Sequence, residues 1–189
     1  MIEMEKKQCL VDHIDGRMPR WVVEASFCIM VAAAICCVAP LRDPVLTYAP
    51  FLNAVLQTVG MTVMYFCMLR GMRPLYHPLS LLWWVAIILC LLGFFTMIPG
   101  LEGLEFAAAT AAFLPLVYLP LGALLCIWYR GRLARVGLWM VIRVFVTILL
   151  PVLFFLPGWL DHAAGNHILD GITLVVEILY AWALRRALV

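Results

Sequence analysis

Six apolar runs follow one another after residue 20, each separated from the next by a short polar or proline-glycine stretch. The first extends from about Trp21 to Val38 and ends where Pro40 and the Leu41-Arg42-Asp43-Pro44 turn forbid helical continuation. A second runs from about Pro50 to Leu69, a third from about Ser80 to Met97 and a fourth from about Phe106 to Tyr129. Val136 to Leu188 holds the last two, joined by Pro157-Gly158-Trp159-Leu160-Asp161-His162. Runs of about 20 residues that are apolar on every side are the pattern of helices solvated by lipid. The predicted fold is therefore all-α: a polytopic integral membrane bundle of six transmembrane helices, with a leader over 1–20 and a single helical domain over 21–189.

The last two runs each carry a charge deep within the span, where a membrane helix should carry none. Arg143 lies eight residues past Arg135, and Glu177 lies eight before Arg185, so both sit roughly 12 Å inside the same bilayer face. A lone charge at that depth costs about 3 kcal/mol or more, so equal depth and opposite sign predict an ion pair within the bundle. Asp170, Thr173, Glu177 and Tyr180 recur at steps of three, four and three, a polar stripe on the sixth helix. Asp170 can also be read as a helix cap, and Thr173 as bonding its own backbone. Trp139, Arg143 and Thr147 share a face of the fifth helix.

On the second helix Asn53, Gln57, Met61, Met64 and Met68 share a face. Thioethers in line suit a soft cation such as Cu(I), but amides bonding neighbouring helices and methionine filling gaps account for the same pattern. Metal is not expected, and no cofactor is. Ala107 to Ala112 forms a small-residue start to the fourth helix that would admit a close neighbour. Pro115 and Pro120 follow, freeing the carbonyls of Ala111 and Leu116 for a kink or for ion binding.

Composition sharpens this picture. Hydrophobic residues make up 66% of the 189, charged residues 13%, and the mean hydropathy is +1.05, against roughly 45–50% apolar in soluble domains. The net charge of +2 matters less than where the charges fall. Eleven of the 13 Lys and Arg belong to the leader, the second and fourth connections and the tail; Arg42 alone falls on the opposite side and Arg143 within a run. That asymmetry predicts both termini in the cytoplasm, in the cytoplasmic membrane of a bacterium. Nucleic acid is excluded as a partner, because no basic patch exists outside the short loops. Of the seven cysteines, Cys28, Cys36, Cys37, Cys67, Cys90 and Cys126 lie in apolar runs without CxxC spacing and read as small buried hydrophobes.

Catalytic patterns are incomplete. Asp161, His162, His167 and Asp170 offer metal-binding and pH-sensing side chains without a zinc spacing. There is no HExxH, no P-loop and no GxS with a partner histidine, so an enzyme is not the expected function. Asp15-Gly16-Arg17-Met18-Pro19-Arg20 resembles the opening of the DGxxAR signature of CDP-alcohol phosphotransferases; the later Gly and two Asp of that signature do not follow. In size and span number the chain is similar to the substrate-binding subunits of energy-coupled vitamin transporters, a likeness carried by no motif.

Three functions from different classes remain, of which an intramembrane enzyme using Glu177 ranks last because it lacks a nucleophile or a second acid. A permease or solute-binding subunit would use Asn53, Gln57, Thr147, Asp170, Thr173 and Tyr180 around the Arg143/Glu177 pair to hold a small polar or cationic solute. An accessory or scaffold subunit would use the same side chains to lock its bundle against a membrane partner.

Overall fold

The structure, a computed structural model, describes residues 19–38, 50–72, 77–95, 106–150 and 162–189. Among the described residues the chain is all-helical, with six helices and no strand. These are α1 (Arg20–Cys36), α2 (Pro50–Met72), α3 (His77–Phe95), α4 (Phe106–Trp128), α5 (Arg132–Val144) and α6 (His162–Leu188). A π-helical turn, Phe145–Leu149, continues α5. The leader lies outside the described residues except for Pro19 and Arg20, as do the turns around Asp43, Glu102 and Asp161.

Each helix packs on its sequence neighbour, and α1 packs on α6, so the six close into a ring; α2 also touches α6 across its interior. The rotation of α3 shows how an all-apolar helix divides its faces. Leu79, Trp83, Ala86 and Ile87 are buried while Leu81, Trp84, Ile88 and Leu91 are exposed, so both faces are apolar and packing alone distinguishes them. The same holds around the ring, where Trp21 (72% exposed), Ile127 (68%), Leu116, Phe145 and Val175 cover the outside. One helical segment among the described residues, His167–Leu188, is itself long and apolar enough to cross a bilayer; Leu79–Leu92 and Leu116–Trp128 are shorter apolar stretches.

The backbones of α4 and α5 approach each other closely at two glycines. A Cβ on Gly137 would lie 2.5 Å from the Gly122 carbonyl oxygen, and one on Gly122 would lie 2.8 Å from the Gly137 carbonyl oxygen. Neither backbone could sit where it does with a side chain at these positions. The expected small-residue contact of Ala107 to Ala112 falls on side chains outside the described set. The fourth helix runs through Pro115 and Pro120 without a break in its assignment, and Pro120 lies on an exposed face.

At one end of the ring the charges gather. Arg185 Nε and Nη2 donate to Glu24 Oε2 and Oε1 at 2.6 and 2.7 Å, joining the start of α1 to the end of α6. Arg20 stands 3.9 Å from the same carboxylate. Arg132 Nη1 donates to the Arg186 carbonyl at 3.3 Å, placing the start of α5 beside the end of α6. Those two helices therefore run antiparallel. Glu24 thus takes part in the ring's closure.

Candidate functional site

Arg143 sits in the last turn of α5 and is buried, 9% exposed, inside the ring. Its Nε donates to Glu177 Oε1 at 2.5 Å, joining α5 to α6. A buried guanidinium needs more than one partner to offset its lost hydration. Nη2 reaches the Met61 thioether at 3.8 Å, a weak acceptor supplied by α2. The guanidinium carbon also lies 5.3 Å from the Tyr180 ring centroid and 5.6 Å from that of Tyr118, within cation–π range. Nη1 is buried and has no hydrogen-bond partner. The guanidinium is held by one carboxylate, one thioether and two aromatic faces, and part of its donor capacity is unspent.

Beside it runs a chain of phenols. Tyr180 Oη donates to Tyr65 Oη at 2.9 Å, and Tyr65 Oη donates to Tyr118 Oη at 3.1 Å. Tyr118 Oη lies 3.6 Å from Cys90 Sγ, where either atom can be the donor. Trp83 packs on Tyr65 with ring centroids 5.1 Å apart. Since buried hydroxyls without partners cost free energy, the three tyrosines satisfy one another and fix the relative rotation of α2, α4 and α6.

On its other side the ion pair borders a cavity of about 220 Å³. Gln57, Arg143, Thr147, Asp170, Thr173 and Glu177 give it polar walls. Met30, Ala33 and Ala34 of α1 and Val38 just past its end, with Met61 and Leu174, make the rest apolar. Thr147 owes its place to the π-helical turn, in which the Leu150 amide reaches back five residues to the Phe145 carbonyl. The Thr147 hydroxyl shares its hydrogen between the carbonyls of Arg143 (2.9 Å) and Val144 (3.3 Å). Asp170 is the ninth residue of α6, inside the helix and away from its start. It therefore does not cap, which corrects that reading of the sequence.

Of the candidates drawn from the sequence, the cavity gathers Gln57, Thr147, Asp170 and Thr173 with the Arg143–Glu177 pair. Tyr180 stands behind the guanidinium, in the phenol chain. Asn53 belongs to α2, but its side chain lies outside the described set. Met64 and Met68 are fully buried core residues, so the methionine stripe divides between packing and the single contact at Met61. His167 is exposed and faces an apolar surface groove with Trp139 and Ile168, apart from the cavity that Asp170 lines. Among the described residues no three His, Cys, Asp or Glu side chains stand close enough to hold a metal ion.

Sequence reasoning missed Tyr65, Tyr118, Cys90 and Met30. Tyr65 lies four residues past Met61 and eight past Gln57, so continuing the polar face of α2 by one turn would have found it. Tyr118 stands between two prolines in an otherwise aliphatic run and gives no periodic signal. Comparison of the chain with protein-family models, with curated proteins and with solved structures returns no match.

Proposed function

We propose that this is a polytopic membrane protein of six spans, both termini cytoplasmic, in a bacterial cytoplasmic membrane. Its role in this reading is that of a small permease or solute-binding membrane subunit, with the cavity at Arg143 and Glu177 as the solute site. The observation that carries the proposal is the polar cavity inside an apolar ring, bordered by a buried guanidinium whose Nη1 has no acceptor. Intramembrane charges that face a bundle interior mark solute and ion pathways. The apolar outer surface supports the bilayer setting, since contiguous patches of that kind are rarely left to water. Arg20, Arg132, Arg185 and Arg186 meet at one end of the ring, in keeping with a cytoplasmic face there.

A second reading, a non-catalytic scaffold subunit, draws on a different feature. The ion pair, the Met61 contact, the phenol chain and the Glu24–Arg185 bridge interlock all six helices once Cys90 and Met30 are included, and such locking serves a scaffold as well as a carrier. A thermal-shift screen of the detergent-purified chain against amino acids, organic cations, nucleosides and vitamins separates the two. A ligand that binds the native state raises its melting temperature, as solute binding requires. Silence across the panel, with a membrane protein co-purifying, supports the scaffold.

A further inference from the structure

We infer that the corner where the start of α5 meets the end of α6 binds one anionic phospholipid of the cytoplasmic leaflet, its phosphate on Arg132 and Arg186 and an acyl chain in the groove between the two helices. The inference takes the bilayer setting and its orientation from the reading above. It does not depend on the solute role.

Charge is the first ground. Arg132 donates to the Arg186 carbonyl, which sets the two residues side by side, and exposed Arg135 follows Arg132 by one turn. Among the described residues no carboxylate lies within salt-bridge distance of any of the three. Glu24, at the same end of the ring, is engaged by Arg185 and Arg20 on the α1 side. The three cations therefore lack an anion from their own chain. Guanidinium is the side chain best suited to phosphate, and basic clusters at the cytoplasmic ends of membrane helices attract anionic lipid.

Shape is the second ground. An open apolar groove of about 480 Å³ runs between Trp139 of α5 and Ile168, Ile172, Val175 and Leu179 of α6. The α6 positions continue through Trp182 to Arg186 in steps of three and four, so groove and cation share one face of that helix. Trp139 likewise lies four residues past Arg135 and seven past Arg132. The Arg186 guanidinium carbon is 5.0 Å from the Trp182 ring centroid, on the face that leads into the groove. At 1.5 Å per residue Leu179 lies roughly 10 Å below Arg186, and the groove runs on roughly 16 Å to Ile168. Half of a hydrocarbon core is about 15 Å, so a lipid headed at Arg186 delivers its tail into the groove.

The two grounds together select the occupant. An apolar helix laid in the groove would leave the arginines unanswered, and a soluble anion on the arginines would leave the groove bare. A phospholipid meets both.

The experiment is native mass spectrometry of the full chain, released from detergent micelles that hold phosphatidylglycerol and phosphatidylcholine with the same acyl chains in equal amounts. One phosphatidylglycerol per chain is expected, retained about tenfold or more over phosphatidylcholine and not displaced by a large excess of inorganic phosphate. Joint replacement by Arg132→Gln and Arg186→Gln should bring its retention down to that of phosphatidylcholine, while Arg20→Gln, at the same end but on α1, should leave it unchanged. Equal retention of the two lipids overturns the inference. Equal loss in the Arg20→Gln variant replaces the site with diffuse charge on the rim, and displacement by inorganic phosphate makes it a phosphate site rather than a lipid one. The preference of the wild-type chain decides even if a variant fails to fold. Should that preference be absent while the solute screen yields a ligand, the lipid site falls and the solute-binding role stands; a lipid retained by a chain that binds no solute leaves the opposite result.

Discussion

Arg143 and Glu177 join α5 to α6 through one short bond, Nε to Oε1 at 2.5 Å, and each is the other's only opposite charge within salt-bridge distance among the described residues. Removing one partner strands the other in a low-dielectric interior. Arg143→Leu and Glu177→Leu should each lower stability by about 3–5 kcal/mol, and the double replacement by Leu should recover much of that loss. Glu177→Leu should be the more damaging single change, because a stranded carboxylate can shed its charge by taking up a proton and a guanidinium cannot. A double-mutant cycle on thermal stability in detergent measures this, and additive losses would show that the two do not interact.

Gly122 and Gly137 should not tolerate alanine. Each Cβ would meet a backbone oxygen, which cannot rotate away, so the helices must separate at a cost of about 1–3 kcal/mol. Gly171 is the internal control: nothing lies within 4 Å of a Cβ placed there, and Gly171→Ala should be neutral or stabilising by up to about 1 kcal/mol. Equal melting temperatures for all three alanine variants would contradict the close crossing of α4 and α5.

The middle of the phenol chain should matter more than its ends. Tyr65→Phe deprives Tyr180 of its acceptor and Tyr118 of its donor at once, whereas Tyr180→Phe removes only the first donor. Each buried hydroxyl left unsatisfied costs about 1–3 kcal/mol, so Tyr65→Phe should be the less stable variant. Denaturation of the two variants side by side tests the order.

Glu24→Gln should behave differently from Glu177→Gln. The Glu24 and Arg185 side chains are each about one-third exposed, at 33% and 32%, so salt screens their bridge. The loss in melting temperature caused by Glu24→Gln should shrink as ionic strength rises, while that of Glu177→Gln should persist.

Reporter fusions after Arg73, Leu104 and Arg135 test the six-span topology. Cytoplasmic-type activity is expected at Arg73 and Arg135, and periplasmic-type activity at Leu104. A periplasmic-type signal at Arg73 or Arg135 would overturn the orientation.

What the residues announced in advance, and what they concealed, follows from one property of the chain. Apolar runs ended by Pro and Gly mark a helix well, and six helices stand where six runs were read, with ends moved by a few residues: α2 continues to Met72, and α3 begins at His77. Rotation is legible only where a polar side chain breaks the symmetry. Arg143, Glu177 and Gln57 break it, and their shared interior could be foreseen. On α3, apolar all round, nothing in the sequence distinguishes buried Trp83 from exposed Trp84. The α1–α6 contact and the Gly122–Gly137 crossing depend on distant partners that no local pattern names. The π-helical turn carries no compositional mark at all.

Because α6 follows α5 in the chain, the carboxylate that answers Arg143 is synthesised after it, as is the Tyr180 ring. In a chain inserted from its N-terminus, Met61, Tyr118 and the other helices precede the guanidinium, and Glu177 follows it by 34 residues. Until α6 is made, Arg143 has a thioether and one aromatic face to shield it, and its neutralisation waits on that helix. A chain cut short between Arg143 and Glu177 therefore carries a guanidinium with no carboxylate to answer it, and the ring cannot close around that charge.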